Sequence, residues 1–478
     1  MRGRKKLALV AVSVVSTMII LTSCGGAGGG TPGSSAGEHP SIPDSSSSSS
    51  APSESTSTST SQPGDEKSYE ATWSVGADGI PVLTKYTVHG EPPTGELVLP
   101  NEGTYKVGEW LFTKNQQITS VIIPEGVVEI ENRAFLDCKN ITKIVLPDTL
   151  KSIGMYAFVG TNVTSVELPE GLISVGYGAF RDCERLNRVV FPNTLKQIEE
   201  DAFANTGITE INLPTGLLSI GNYAFYGTKL TQVTVPEGVV SIGKCAFSCE
   251  KIEKIALPST LEKIGASAFS DTRIITLRIP QSVKTIGDHA FSGNKYLESV
   301  TIEGPAKLEK NVFWDCSKLK DVKLNEGITE IPEGAFSYCW ALSQIELPTE
   351  LKVIGDSAFA ETSLTSIKIP SKVTSIGENA FKHAQFETLV LPDGVSEISF
   401  EGLAYCSNLK KLYIPANVKK INRGAFEGCN NLTDIYYAGS ESMWDSISVD
   451  ATGNEVLSNA TIHHNSSSTV LELSSLFF

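Results

Sequence analysis

Cysteine is the residue type here with the most chemical potential, and its spacing argues against reactive use. Nine cysteines occur in 478 residues. Cys138, Cys183, Cys316, Cys339, Cys406 and Cys429 each fall three residues after a phenylalanine or its stand-in, while Cys245 and Cys249 flank Phe247. Other copies of the slot carry Thr161, Thr206, Thr228, Thr272 and Thr362. A position that accepts either residue asks for a small, mostly buried side chain. Metal or redox chemistry would need a recurring partner, and none recurs. There is no Cys-x-x-Cys pair for zinc, and Cys245 and Cys249 have no His beside them. Eight cysteines follow Cys24, an even number, so disulfides must be weighed. Stacked units roughly 4.8 Å apart would bring Cys316 near Cys339 and Cys406 near Cys429, but equivalent side chains point the same way rather than at each other. These cysteines are read as reduced packing residues.

The other reactive groups fare no better. Six histidines are scattered, and only His463 and His464 are neighbours. Adjacent strand residues face opposite ways, which disfavours a shared metal. Ser248-Cys249-Glu250-Lys251 matches Ser-x-x-Lys, without a Ser-Asp-Asn or Lys-Thr-Gly companion. Gly33-Ser34-Ser35-Ala36-Gly37 matches a nucleophile elbow, but its surroundings supply neither the strand nor the helix that the motif needs. Acids such as Glu125 and Glu170 recur on turns, as solvating residues do. The expectation is a non-enzyme with no cofactor and no metal. Formal charge is −15, and loss of residues 1–23, with four basic and no acidic residues, would make it −19. That balance excludes nucleic acid as a partner, since phosphate neutralisation needs a basic face. The local cluster Lys410, Lys411, Lys419, Lys420 and Arg423 is read as a solvated repeat face.

The elements that position all these residues are copies of one unit. Its Phe slot falls at 112, 135, 158, 180, 203, 225, 247, 269, 291, 313, 336, 359, 381, 403 and 426, at intervals of 22 or 23 residues. A fixed period in this range marks a solenoid, in which single units cannot bury their apolar residues and stacking supplies the core. One copy runs from Ile141 through Ile144, Leu146, Pro147, Leu150, Ile153 and Gly154 to Ala157-Phe158. Ile144 and Leu146 alternate with strand period, so Val145 faces outward. Pro147 ends the strand. Leu150 and Ile153 turn inward, Gly154 allows a tight bend, and Ala-Phe forms a short helical turn. The outward residues are Ile122, Val145, Glu167, Val190, Asn212, Thr234, Ala256, Arg278, Thr301, Lys323, Glu346, Lys368, Val390, Tyr413 and Tyr436. They vary where the core slots do not. Arg278, Lys323, Lys368, Tyr413 and Tyr436 form the candidate ligand-binding face, since Tyr and Arg are enriched at binding hot spots.

With its Leu-Pro turn, Ile-Gly bend and Ala-Phe-x-x-Cys ending, the unit resembles the BspA-type leucine-rich repeat over residues 96–438. The resemblance implies a β-dominated, right-handed solenoid of about 15 repeats, and a bacterial surface protein with adhesion as its activity. Departures occur near Glu303, at Asn325, which replaces a Pro, and at Gly402-Leu403, which replaces Ala-Phe. Residues 68–95, with Gly76-Ala-Asp-Gly79 at their centre, read as a hairpin cap covering the first coil. Residues 439–465 resemble the family's closing segment, and 466–478 form a tail.

Residues 1–23 carry Arg2, Arg4, Lys5 and Lys6 before an apolar stretch too short to span a membrane comfortably, as in a secretion signal. Leu21-Thr22-Ser23-Cys24 resembles the bacterial lipoprotein box, which implies lipid on Cys24 as the mature N-terminus. Residues 24–67, rich in Gly, Ser and Thr, form a disordered tether spanning roughly 35 Å. The expected whole is a lipid-anchored protein on the extracellular face of the envelope, binding a protein or glycan ligand through its repeat array. The alternatives are a carbohydrate-binding surface protein, which the Tyr residues would suit, and a structural envelope scaffold.

Overall fold

The computed structural model describes residues 69–469; the leader, Cys24, the tether and the end of the tail lie outside them. The chain winds into a parallel β-coil of about 17 turns with almost no helix. Two sides of each turn are short strands. On the first side Ser120, Val121 and Ile122 pair in register with Lys143, Ile144 and Val145. On the second, a seven-stranded run begins at Ser174–Val175 and ends at Lys307–Leu308. The alternation read from the sequence holds on the first side: Ile144 is buried and Val145 exposed. That ladder lapses at 209–213, 343–347 and 365–369.

The third side corrects the expectation of a short helical turn. Its backbone bonds from coil to coil instead: the Phe135 N–H donates to the Ala157 carbonyl at 2.8 Å and the Phe158 N–H to Ala179 at 2.9 Å. The cause lies in the flanking residues. Arg133, Asp137, Tyr156, Asp182 and Asp201 have φ of 56 to 59°, and Gly160 and Gly178 are also left-handed. A left-handed residue on each side of Ala-Phe stops a right-handed helix from propagating and leaves the N–H groups facing the next coil.

This side carries the core's backbone of rings. From Phe112 to Phe381 each phenylalanine stacks on the next, with centroids 5.1 to 5.8 Å apart and planes within 17°. Leu403 interrupts the column. The Ile-Gly bend also has a different cause from the one expected. Gly154 and Gly243 are not in the left-handed region. A Cβ on Gly154 would come within 2.8 Å of the Asn132 nitrogen, and one on Gly243 within 2.4 Å of the Asn222 nitrogen. Glycine is needed there because adjacent coils approach too closely for a side chain.

Both ends continue the coil. Tyr69–Val75 and Pro81–Val88 pair antiparallel, and Val82-Leu83 then pairs parallel with Lys106-Val107. Lys106, mostly buried, latches the hairpin turn by bonding Asp78 at 2.7 Å and Glu129 at 2.9 Å. At the far end Ser448–Val449 and Thr461–His463 extend the two ladders. Buried Asn454 stands in for a missing coil: its amide oxygen accepts from the Phe426 N–H at 3.0 Å, and its amide nitrogen donates to the Asn422 carbonyl at 2.8 Å.

Candidate functional site

The first ladder places Arg278 on Thr276–Ile279 and Lys323 on Asp321–Lys323, both exposed. Thr301 lies between them, in register with each. Arg278 reaches along the face to Glu303 at 2.5 Å. Lys368 is exposed too, on a coil where the ladder lapses. These three, with Glu346, make an open charged strip.

The tyrosines differ from the expectation of a pair displayed to solvent. Tyr413 is only 5% exposed. It sits in register between Val390 and Tyr436, and burial raises its phenol's pKa above the usual value. Tyr436 is half-buried, with its ring stacked on His463 at 4.6 Å. His463 in turn bonds Asp434 through Nε2 at 2.8 Å. Neither Tyr is a free platform. A large ring pointing away from the core is covered when its neighbours along the ladder are also large, and the facing pattern alone does not report that.

The cysteine slot is buried as expected, and it has a second role that size did not reveal. Each slot thiol donates to the Phe-slot carbonyl of the preceding coil: Cys138 to Phe112 at 2.9 Å, Cys183 to Phe158 at 3.2 Å, Cys339 to Phe313 at 3.3 Å and Cys429 to Leu403 at 3.0 Å. Thr206, Thr228 and Thr362 donate instead to the Phe carbonyl of their own coil, at 2.8 to 2.9 Å. Asn294, in the same slot, serves both Phe269 and Phe291. The slot therefore selects small donors that can satisfy a buried carbonyl. Burial pushes the Cys138 and Cys183 thiols up to about 12 and that of Cys249 to about 11, which keeps them protonated as donors. Cys138, Cys183, Cys249, Cys316, Cys339, Cys406 and Cys429 are free.

The remaining candidates stay apart. Lys410 and Lys411 lie along the first ladder and Lys419 and Lys420 along the second, and Lys410 pairs with Glu387 at 3.2 Å. The Ser248 hydroxyl is buried and bonds that of Ser270 at 3.2 Å, while Lys251 is exposed. Among the described residues no group of three His, Cys, Asp or Glu side chains could hold a metal.

Sequence reasoning missed a group of aromatics off the strand face. Trp314, Tyr338 and Trp340 meet edge to face at 5.7 and 6.3 Å, and Trp340 and Tyr296 are 57% and 46% exposed. The slots they occupy vary from coil to coil, so periodicity gave no pointer to them; only their type, on a chain with five tryptophans, did.

Among solved structures, the chain is similar to a leucine-rich repeat protein from Bacteroides ovatus, at 24% identity over 84% of this chain and 98% of that one, with a TM-score of 0.55. It also resembles a leucine rich cell surface protein from Faecalibacterium prausnitzii, at 24% identity over 82% and 98%, with a TM-score of 0.35. The pneumococcal vaccine antigen PcpA matches at 15% over 86% and 100%, with a TM-score of 0.40. No curated protein matches. Residues 105–229, 218–342 and 329–447 match the BspA type Leucine rich repeat region. With the 22- or 23-residue coil, the phenylalanine column and this match over most of its length, the chain belongs to the BspA-type leucine-rich repeat family.

Proposed function

We propose that this chain is a bacterial cell-surface lipoprotein whose coil binds a macromolecular ligand on the first strand ladder. The observation that carries the reading is an exposed strip of unlike residues, Arg278, Lys323, Glu346 and Lys368, mounted on a core that repeats from coil to coil. Core positions are fixed by packing, whereas this strip is under no packing constraint and is open to a partner. Tyr413 and Tyr436 support its C-terminal end rather than anchor the ligand. Lipid on Cys24 would hold the array at the outer face of the envelope, with residues 24–67 giving it reach.

Two experiments test the reading. Replacement Cys24→Ser should release the protein from membranes; unchanged fractionation would remove the anchor. The Cys24→Ser chain is then used to capture partners from envelope and host extracts, beside the same chain carrying Lys323→Glu and Lys368→Glu. A partner that binds the first and is lost from the second, with the fold intact, supports the strip. Equal capture by both would refute it.

A further inference from the structure

One corner of the coil, where the phenylalanine turn leads into the first strand, carries a row of cations. Lys229, Lys251, Arg273, Tyr296 and Lys318 occupy one position in five successive coils, just before the buried residues Leu230, Ile252, Ile274, Leu297 and Leu319. The register of the strands that follow fixes the alignment: Gln232 pairs with Lys254, Thr276 with Ser299, and Ser299 with Asp321. Between the middle coils the Arg273 N–H donates to the Ile252 carbonyl at 2.7 Å. All five side chains are exposed. At about 4.8 Å per coil the row is roughly 20 Å long.

None of its four cations has an ion-pair partner within 4.0 Å among the described residues, although the chain's formal charge is −15. Of the acids near the row, Asp315 and Glu298 are taken by Lys295 at 3.5 Å and Lys320 at 2.8 Å, and Glu250 and Asp271 stand beside it without pairing with its cations. The Arg273 and Lys318 heads lie over Tyr296, 5.9 and 5.0 Å from its ring centroid. In the coil after Lys318 the equivalent position is Ala341, and Trp340 stands one residue before it with its indole more than half exposed. The row thus offers three cations on successive coils and a fourth beyond Tyr296, with aromatic surface at Tyr296 and near the end at Trp340.

We propose that this corner binds an extended acidic polysaccharide. Carboxylate or sulfate groups meet Lys229, Lys251, Arg273 and Lys318, and the apolar faces of the sugar rings lie on Tyr296 and Trp340. The coil pitch is close to the length of one pyranose ring, so successive sugars keep step with successive coils. A nucleic acid fits less well. Its charge, one per about 1.7 Å of duplex, is repelled by the acidic remainder of the molecule, whereas a polyuronate is far more sparsely charged. The row lies at the corner that leads into the strand face, before Arg278 and Lys323 on their own coils, and it is tested by variants of its own.

The test uses the Cys24→Ser chain and affinity electrophoresis through gels containing hyaluronan, chondroitin sulfate, dextran, polyglutamate or oligothymidylate. Retardation by one or both acidic glycans, and not by dextran, is expected. Lys318→Glu and Trp340→Ala should each weaken it at least tenfold, Trp340→Phe should restore most of it, and Lys263→Glu, exposed on the second ladder, should leave it unchanged. Polyglutamate or oligothymidylate bound as tightly as the glycans would overturn the proposal. So would equal retardation by dextran, no retardation by either acidic glycan, or indifference to both corner variants.

Discussion

Phe225 offers the sharpest test of how the array holds together. Its side chain is fully buried, 5.6 Å from the Phe203 ring and 5.3 Å from Phe247, with planes within 8° of each. Phe225→Ala removes the ring and leaves a cavity, at a cost of about 3 to 5 kcal/mol. Phe225→Leu keeps most of the volume and loses the two ring pairs, each contributing about 0.5 to 1.5 kcal/mol, so a cost of about 1 to 3 kcal/mol is expected. Leu403 shows that a coil closes with leucine in this slot. Because each coil touches only its neighbours, the alanine variant should divide the array into two weakly coupled blocks. Urea unfolding followed by circular dichroism should then broaden or split. Hydrogen exchange should quicken first at the N–H groups of Phe203 and Phe225, which bond the Ala224 and Ala246 carbonyls. An alanine variant that unfolds like the parent, or a leucine variant as damaged as the alanine one, would show that the column is a by-product of the coil and not its support.

Four further outcomes are expected. Cys183→Thr should cost no more than about 1 to 3 kcal/mol, the ordinary range for a core change. Peptide mapping after alkylation under denaturing, non-reducing conditions should find all seven slot thiols modified, from Cys138 to Cys429; four or fewer would refute the packing role. Gly243→Ala should destabilise by about 1 to 3 kcal/mol as the Asn222 backbone is forced away, whereas a neutral alanine in urea unfolding would mean that the coils separate easily. The carboxyl of Asp434 is held below its ordinary value of 3.8, first by its bond to His463 and then by Thr433. A depressed folded value means that its contribution is present above 3.8 and lost as pH falls through the folded value. Amides of Thr461–His463 should therefore exchange faster below that pH, and Asp434→Asn should abolish the difference.

Much of this fold was legible because its core repeats. The phenylalanine column, the buried Ile144 and exposed Val145, and the Cys-or-Thr slot all follow from period and residue type. The turn geometry was written in much of the chain as well, in Asp137, Gly160, Asp182, Asn205, Gly227, Asp271, Gly293 and Asp315, each two residues after its coil's Phe. Asp, Asn and Gly are the types that tolerate left-handed backbone, and reading them as such would have replaced the helical turn with the coil-to-coil ladder. The role of glycine in the Ile-Gly bend was not legible, because it depends on the approach of a neighbouring coil. Tyr413 was misjudged for a related reason: its facing is a property of one strand, while its burial depends on Val390 and Tyr436 beside it.

The candidate sites were harder to read than the core because repetition fixes the core and frees the surface. In a coil of this kind a binding row is assembled from one residue per turn, and each contact is weak. An exposed ion pair contributes about 0.2 to 1 kcal/mol, so no single lysine among Lys229, Lys251 and Lys318 could hold a ligand alone. The rigid core changes the sum. Because the coils fix the spacing of the row, the second and later contacts of an extended ligand cost little further ordering. Affinity should then grow with the number of coils engaged. A ligand too short to reach from Lys229 to Lys318 should bind far more weakly than one that spans the row, whatever the chemistry of its individual units. Arg278, Lys323 and Lys368 on the strand face, each two coils from the next, should show the same dependence. For both rows, length dependence separates binding by register from binding by an isolated pocket.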